Sequence, residues 1–195
     1  MQNTRLTPFF GLMILMLIPA SAHAHQEVGA ASGFISGFLH PLSGLDHLVA
    51  MVAVGLWGGI LGKPAVWLLP VTFPMVMAFG GMLGVQDVPI PGIETGIAIS
   101  GIVLGLMVLL YAKPPLWIAA TIIGFFAIFH GHAHGTELPE AASPLSYAAG
   151  FVISTGLLHV TGIIIGLLIH VPWGKKLVQG LGGVIALIGF YFLFF

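Results

Sequence analysis

The sequence contains no cysteine, and this absence removes several classes of site. Disulfides, iron–sulfur clusters and thiolate metal sites need cysteine, so any bound metal meets nitrogen and oxygen ligands, with methionine sulfur as the one addition. Charge is scarce too: 5 basic and 6 acidic residues in 195 give a net charge of −1. Without a Lys/Arg cluster the chain cannot neutralise a series of phosphates, which excludes a nucleic-acid partner.

Two catalytic motifs are also missing. The chain has no Gly-x-x-x-x-Gly-Lys segment, so it carries no phosphate-binding loop that would bind and hydrolyse ATP. It has no His-Glu-x-x-His segment either, which an intramembrane metalloenzyme would be expected to carry. The sequence therefore predicts a protein that is not an enzyme and that holds no prosthetic group.

Apolar residues, by contrast, dominate the chain. They make up 58% of it, and charged residues make up 6%, whereas about a quarter of the residues of a soluble domain are charged. So few charges cannot cover a surface that faces water on all sides. The composition predicts an all-α integral membrane protein, because apolar segments of about 20 residues cross a bilayer as helices. The length of the chain is that of a single domain made of such helices.

The N-terminus has the pattern of an export signal. Arg5 supplies the positive charge, residues 9–18 supply the apolar segment, and two overlapping Ala-x-Ala sites follow. We expect cleavage after Ala24, so that the mature chain begins at His25 outside the cytoplasm, where His25 is a further candidate metal ligand. An uncleaved first helix is the alternative. The expected parts are a signal peptide over 1–24 and a helical membrane domain over 25–195.

Short runs of glycine, proline and charged residues divide the rest of the chain into apolar segments. Each segment is close to the length of about 20 residues that a helix needs to cross hydrocarbon. The sequence predicts six transmembrane spans in the mature protein, at 44–61, 65–84, 93–111, 116–132, 145–170 and 177–195. The segment 30–39 is too short to cross alone, and we expect a half-helix or a re-entrant segment leading to Pro41.

Charge predicts the orientation of these spans. If the mature chain starts outside, alternate loops are cytoplasmic and contain every lysine, while the other loops contain carboxylates, which is the positive-inside pattern. The inner lysines are Lys63, Lys113, Lys175 and Lys176, and the outer acidic residues are Glu27, Asp87, Glu94, Glu137 and Glu140. The prediction is a multi-pass protein of a bacterial inner membrane with both termini in the periplasm.

The first polar cluster lies at the outer end of the first predicted span. His40, Asp46 and His47 stand at the head of an apolar run. Ionisable groups at membrane depth cost a few kcal/mol each, so they are functional candidates. His40 and His47 lie about 10 Å apart along a straight helix, too far for one ion, but the proline and glycine between them are where a helix begins or unwinds. Met51 shares a helix face with His47 and is a further candidate ligand. For Asp46, the alternative to a metal ligand is a simple helix cap.

The second polar cluster lies at the outer end of the fourth predicted span. His130, His132 and His134 alternate with small residues, and Glu137 follows them. On a helix, His130 and His134 share a face. The intervening glycines leave a flexible loop as the alternative, and a surface segment that binds metal without function is a second one.

Two further histidines lie in the fifth predicted span. His159 is near mid-membrane and His170 is at the inner end. A single transmembrane histidine is more often a packing or hydrogen-bonding residue than a metal ligand. Because the two clusters share the outer face, we nevertheless expect a collection site for a divalent metal there, with His159 on a route inward.

These motifs together resemble the HupE/UreJ family of bacterial membrane proteins, over essentially the whole mature chain. The similar segments are His40-Pro41-x-x-Gly44-x-Asp46-His47, Phe129-His130-Gly131-His132-Ala133-His134-Gly135-x-Glu137, Gly156-Leu157-Leu158-His159, and an export signal that ends in Ala-His-Ala-His. The resemblance implies nickel or cobalt uptake for hydrogenase, urease or cobalamin synthesis. It implies His40, Asp46 and His47 as the essential positions, with His130 and Glu137 as further candidates. The first motif is also similar to the His-x4-Asp-His box of a separate nickel/cobalt permease family, but it is one residue longer.

The expected function is a permease that takes up a divalent transition metal, nickel or cobalt. Imidazole and carboxylate ligands suit such ions without selecting one of them. An inside-negative potential supplies about 4.6 kcal/mol per 100 mV to a divalent cation, so uptake does not need ATP. The alternative is an accessory protein that binds nickel outside and passes it on without translocation. The expected partners are the lipid bilayer and the metal ion, while a homo-oligomer and a periplasmic metal donor stay open.

Overall fold

The computed structural model describes residues 30–138 and 143–195. In these residues the chain forms seven α-helices and one short 3-10 helix, and no strand. The helices are α1 (Ala30–Ser43), α2 (Leu45–Leu61), α3 (Ala65–Val85), α4 (Ile93–Leu109), α5 (Leu116–Thr136), α6 (Pro144–Gly166) with the 3-10 helix Leu167–His170 directly after it, and α7 (Gly174–Phe194). The predicted signal peptide and His25 lie outside the described residues.

Four helices are long and apolar enough to cross a membrane: α3, α5, α6 with its 3-10 extension, and α7. Helices α2 and α4 are also apolar but have 17 residues each, about 26 Å, slightly less than the roughly 30 Å of a hydrocarbon core. The prediction of an all-helical membrane protein is confirmed. That the mature chain crosses the membrane six times stays a prediction. Helix α5 continues to Thr136 instead of ending at residue 132.

The first polar motif lies at a sharp bend between α1 and α2. Helix α1 continues through Pro41 to Ser43, beyond the predicted half-helix, and α2 starts after Gly44. The two helices differ in direction by 82°. His40 near the end of α1 and His47 in the first turn of α2 therefore approach one region from different directions, which a straight helix does not allow.

Helix α2 forms the centre of the bundle. It contacts α3, α4, α6 and α7 as well as α1, and most of its side chains are buried. The outward faces of the surrounding helices carry large exposed apolar side chains, including Met75, Phe125 and Leu157. Water-soluble monomers do not expose apolar surface on this scale, so the outer surface of the bundle is one that lipid covers.

Glycines allow the helices to approach until their backbones touch. A Cβ added to Gly131 of α5 would lie 2.8 Å from the carbonyl carbon of Met77 on α3. A Cβ added to Gly105 of α4 would lie 2.9 Å from the Cα of Ala186 on α7. Close packing through small residues is the usual basis of helix association in membranes. The contact at Gly131 also sets the position of the histidines on either side of it.

Polar groups separate to the two ends of the bundle. At one end, His40 and Glu137 line a common cavity. At the other end, the Nζ atoms of Lys113 and Lys175 lie 4.6 and 4.5 Å from the ring centroid of Tyr111. The lysine-bearing loops therefore meet at the end opposite the carboxylates, as the loop pattern predicts. Which of the two ends faces the cytoplasm stays a prediction.

Tryptophan also marks the lysine end. Trp67 and Trp117 lie in the first turns of α3 and α5, Trp173 directly precedes α7, and all three are at least 60% exposed. Exposed tryptophan is enriched at the boundary between hydrocarbon and head groups. These side chains place the lysine end of the bundle at that boundary.

Candidate metal centre

Three side chains bring their ligand atoms together at the carboxylate end. His40 Nε2 lies 3.0 Å from His134 Nδ1 and 3.0 Å from Glu137 Oε2, and the latter two atoms are 3.8 Å apart. Neighbouring ligands of a divalent ion at about 2.1 Å are separated by roughly 3.0 to 3.4 Å. The triangle therefore has about the size of one face of a metal coordination sphere, formed by two imidazole nitrogens and one carboxylate oxygen.

Helix geometry explains how this triangle forms. Helix α5 includes the whole His-x-His-x-His segment, so the flexible-loop alternative is wrong. His134 and Glu137 are three residues apart and share a face. Helix α1 packs on α6 through Gly37 and Gly150, and this contact carries His40 to the end of α5.

The electrostatics of Glu137 favour a ligand role. The neighbouring His134 ring, and after it His40, holds the pKa of Glu137 below its usual range, although partial burial acts in the opposite direction. The carboxylate is therefore ionised near neutral pH. An ionised carboxylate beside two imidazoles is a donor set that suits borderline divalent metals.

Asp46 orients the ring of His47. Asp46 Oδ1 lies 3.0 Å from His47 Nδ1 and also accepts the backbone N–H of His47 at 2.9 Å. Because an ionised carboxylate only accepts, Nδ1 carries the proton and Nε2 keeps its lone pair. That Nε2 is buried and has no hydrogen-bond partner among the described residues. A carboxylate that binds one ring nitrogen and leaves the other free is the usual support of a metal-binding histidine.

Ser100 has the same effect on His130. Its hydroxyl donates to the Ile97 carbonyl at 2.6 Å and accepts the His130 Nε2–H at 2.8 Å. His130 Nδ1 is then the nitrogen with the lone pair, and it is buried without a partner in the part of the chain that the structure describes. Sequence reasoning missed Ser100, and its position as a lone hydroxyl in the middle of the apolar α4 was the only signal.

The imidazole rings form one continuous group, which we call the histidine cluster: His40, His47, His130 and His134. The ring centroid of His47 lies 4.4 Å from that of His134 and 4.8 Å from that of His130. The rings of His40 and His134 are 4.9 Å apart. The two polar clusters of the sequence are therefore a single site in the structure.

A cavity of about 360 Å³ opens onto this site. Its lining includes the carboxylates Asp46 and Glu137 and a third one, Glu94 in the first turn of α4. The sequence analysis placed Glu94 in an outer segment but not at the site. The side chains of Glu137 and His40 are 51% and 24% exposed, so an ion can reach them from solvent. Several carboxylates around one cleft raise the local concentration of cations.

The structure places His132 outside the cluster. Its Nε2–H donates to the Val88 carbonyl at 2.7 Å, which ties α5 to the loop between α3 and α4. Residues that are two positions apart in a helix point in different directions, so His132 does not lie on the face that carries His130 and His134. Its role as a metal ligand stays a prediction.

Two other predicted ligands lie deeper. His159 is buried, and the ring of Phe73 contacts both it and the histidine cluster, with centroid distances of 5.7 Å to His159 and 5.5 Å to His130. Met51 is fully buried in α2, one turn beyond His47. His170 is exposed in the 3-10 helix at the far end of α6.

A family model described as HupE / UreJ protein matches residues 13–192. The chain belongs to the HupE/UreJ family. Protein HupE of Rhizobium leguminosarum bv. viciae is 45% identical over 174 residues, which cover 89% of this chain and 91% of that protein. No solved structure matches the chain. HupE/UreJ proteins are membrane transporters or accessory proteins and not enzymes, so the predicted family and the predicted absence of an enzyme activity are both confirmed.

Proposed function

We propose that this HupE/UreJ protein is a permease for the uptake of a divalent transition metal, nickel or cobalt. The observation that carries the proposal is the triangle of His40, His134 and Glu137 at a solvent-accessible cavity. Its nitrogen and oxygen donors suit Ni²⁺ and Co²⁺, and a chain without cysteine has no thiolate that would favour softer ions. The association of the family with nickel and cobalt agrees with this donor set.

Capture begins with the charge of the cavity. The carboxylates of Glu94, Asp46 and Glu137 attract the cation, and the triangle replaces part of its hydration shell. The free Nε2 of His47 and the free Nδ1 of His130 are the next donors inward. A series of ligands lowers the cost of removing water from the ion, provided that each ligand binds the ion weakly enough to release it to the next.

Translocation then follows the membrane potential. An inside-negative potential gives a divalent cation about 4.6 kcal/mol per 100 mV, which is roughly a thousandfold accumulation, so a facilitative permease is energetically sufficient. The topology of this proposal has six spans, α2 to α7, in a bacterial inner membrane. It includes cleavage of the signal peptide after Ala24 and places both termini in the periplasm.

Reconstituted protein tests the proposal directly. Proteoliposomes that contain a metal-sensitive dye are given Ni²⁺ or Co²⁺ outside, and the initial rate of influx is measured. We expect His40→Ala, Asp46→Asn, His47→Ala, His134→Ala and Glu137→Gln each to lower influx at least about tenfold while the protein still inserts. His170→Ala is the matched control, because this histidine is exposed at the opposite end of the bundle.

Two outcomes would overturn the proposal. Influx at the wild-type rate in His134→Ala and Glu137→Gln would show that the triangle is not the capture site. Tight metal binding by the wild-type protein without any influx would instead identify an accessory protein that binds the metal and passes it to a partner.

A further inference from the structure

A second group of polar atoms lies inside the bundle, beside Phe73. His159 of α6 is 1% exposed, and neither of its ring nitrogens has a hydrogen-bond partner among the described residues. A buried donor or acceptor that is left unsatisfied destabilises the fold, because it has lost its hydrogen bonds to water. A histidine in this position therefore requires a reason beyond packing, and a bound ligand supplies one.

Hydroxyl groups accompany His159 on the same helix. Thr155 lies one turn before it and shares its face, and both Thr155 and Ser154 are buried with unpartnered hydroxyls in the described part of the chain. The exposed Thr121 and Thr161 behave differently, because each donates to the carbonyl four residues earlier at 2.8 Å. Thr155 and Ser154 do not make this bond, so their oxygens stay free for another partner.

Helix α3 contributes a carbonyl oxygen to the same place. Pro74 has no N–H, so the Pro70 carbonyl four residues earlier lacks its helical donor. That carbonyl lies beside the ring of His159, at the limit of hydrogen-bonding geometry. The polar face of α6 is therefore opposed by a carbonyl oxygen that keeps a lone pair for another partner.

A single aromatic ring contacts both this group and the histidine cluster. Phe73 is fully buried, and its ring lies nearly perpendicular to that of His159, at 86°, and at 61° to that of His130. Its centroid is 5.7 Å from that of His159 and 5.5 Å from that of His130. Phe73 is therefore a common neighbour of His159 and of the cluster.

We propose that His159, Thr155 and the Pro70 carbonyl form an inner station that binds the transported divalent cation after it leaves the histidine cluster. The inference rests on the proposed function and adds a site to it. The donors are nitrogen and oxygen atoms, as in the cluster, but the station includes no carboxylate. Neutral donors hold a divalent cation less tightly than carboxylates do, which suits a site from which the ion is released.

Transport kinetics test the inner station. In the proteoliposome assay, His159→Ala and the nearly isosteric Thr155→Val should lower the maximal influx about tenfold, with the half-saturating metal concentration little changed. Variants of the cluster should instead raise the half-saturating concentration. The matched controls are His170→Ala and Thr161→Val, which change the same residue types on outward-facing positions and should transport like the wild type.

Metal binding provides a readout that a purely structural role would not change. Purified protein in which all four histidines of the cluster are replaced by alanine should keep weak binding of radioactive Ni²⁺ in equilibrium dialysis. Addition of Thr155→Val or His159→Ala should remove that residual binding. If the His159→Ala protein does not fold, the Thr155→Val protein alone tests the inner station.

The outcomes separate the two proposals. Wild-type maximal rates and unchanged residual binding in Thr155→Val and His159→Ala would overturn the inner station and leave the permease proposal intact. Absence of influx in the wild type would overturn the permease itself, and residual binding by the protein without the four cluster histidines would then still report on the inner station.

Discussion

Replacement of Ser100 by alanine should weaken metal capture without unfolding the bundle. The Ser100 hydroxyl accepts the His130 Nε2–H at 2.8 Å, and both side chains are fully buried. Alanine removes the acceptor that the described residues offer to this N–H. The proton is then free to move to Nδ1, which is the nitrogen that we expect to bind the metal.

The size of the effect follows from the buried hydrogen bond. A buried donor without a partner costs about 1–3 kcal/mol. Since each 1.4 kcal/mol is about a factor of ten in an equilibrium constant, the half-saturating metal concentration should rise roughly 5- to 150-fold. The maximal rate should change much less, because Ser100 acts through His130 and is not itself a ligand.

A double-mutant cycle is the assay. Initial influx is measured against metal concentration for Ser100→Ala, His130→Ala and the double variant, with Thr121→Ala as a control whose hydroxyl bonds only within its own helix. The double variant should be no worse than His130→Ala alone, because the serine has nothing left to orient. Additive effects of the two substitutions, or a wild-type curve for Ser100→Ala, would show that Ser100 does not orient the His130 ring.

Two further predictions concern pH and topology. Influx at low metal concentration should fall as the outside is acidified, because an imidazole cannot bind metal when it is protonated. His134 and His40 lower the pKa of Glu137, so this carboxylate stays ionised near neutral pH, and a profile without any loss of influx at acid pH would contradict capture by neutral imidazole. A reporter fused after Lys113 should be cytoplasmic and one after Phe195 periplasmic; a cytoplasmic C-terminus would mean an odd number of spans in the mature protein.

Much of the site was predictable because polar groups are rare in this chain. His40, Asp46, His47 and Glu137 stand out in an apolar sequence, where desolvation makes an unused ionisable group costly. Helical periodicity also placed His134 on the same face as His130. In a straight helix, the spacing of His40 and His47 would exclude a site that both residues share. The 82° bend between α1 and α2 removes that restriction.

The remaining parts of the site depend on contacts between helices that no local pattern encodes. Ser100 reaches His130 only because α4 packs near α5, and Glu94 faces the cavity for the same reason. The separation of His132 from His134 depends on which face of α5 turns toward the bundle centre. Backbone contacts at glycines such as Gly131 decide that face, and they form only in the folded bundle.

Helix boundaries were predictable where glycine and proline interrupt apolar runs, with Pro41 as the exception. Proline removes one backbone hydrogen bond, but it does not end α1, which continues to Ser43. The close packing of Gly37 against Tyr147 on α6 holds this part of α1 in place. A sequence pattern records the lost hydrogen bond and not the contact that compensates for it.

The cavity at the histidine cluster has an electrical consequence. Because solvent reaches Glu137, the electrical potential at the cluster is close to that of the solution on the same side of the membrane. From His47 to Leu61, α2 extends only about 21 Å, compared with roughly 30 Å of hydrocarbon. The transmembrane voltage therefore drops mainly beyond the cluster, where the field is stronger than in an unbroken bilayer. In the proposed permease, most of the work of about 2.3 kcal/mol per charge and 100 mV is done beyond the cluster, so voltage would act on the passage of the ion and hardly on its capture.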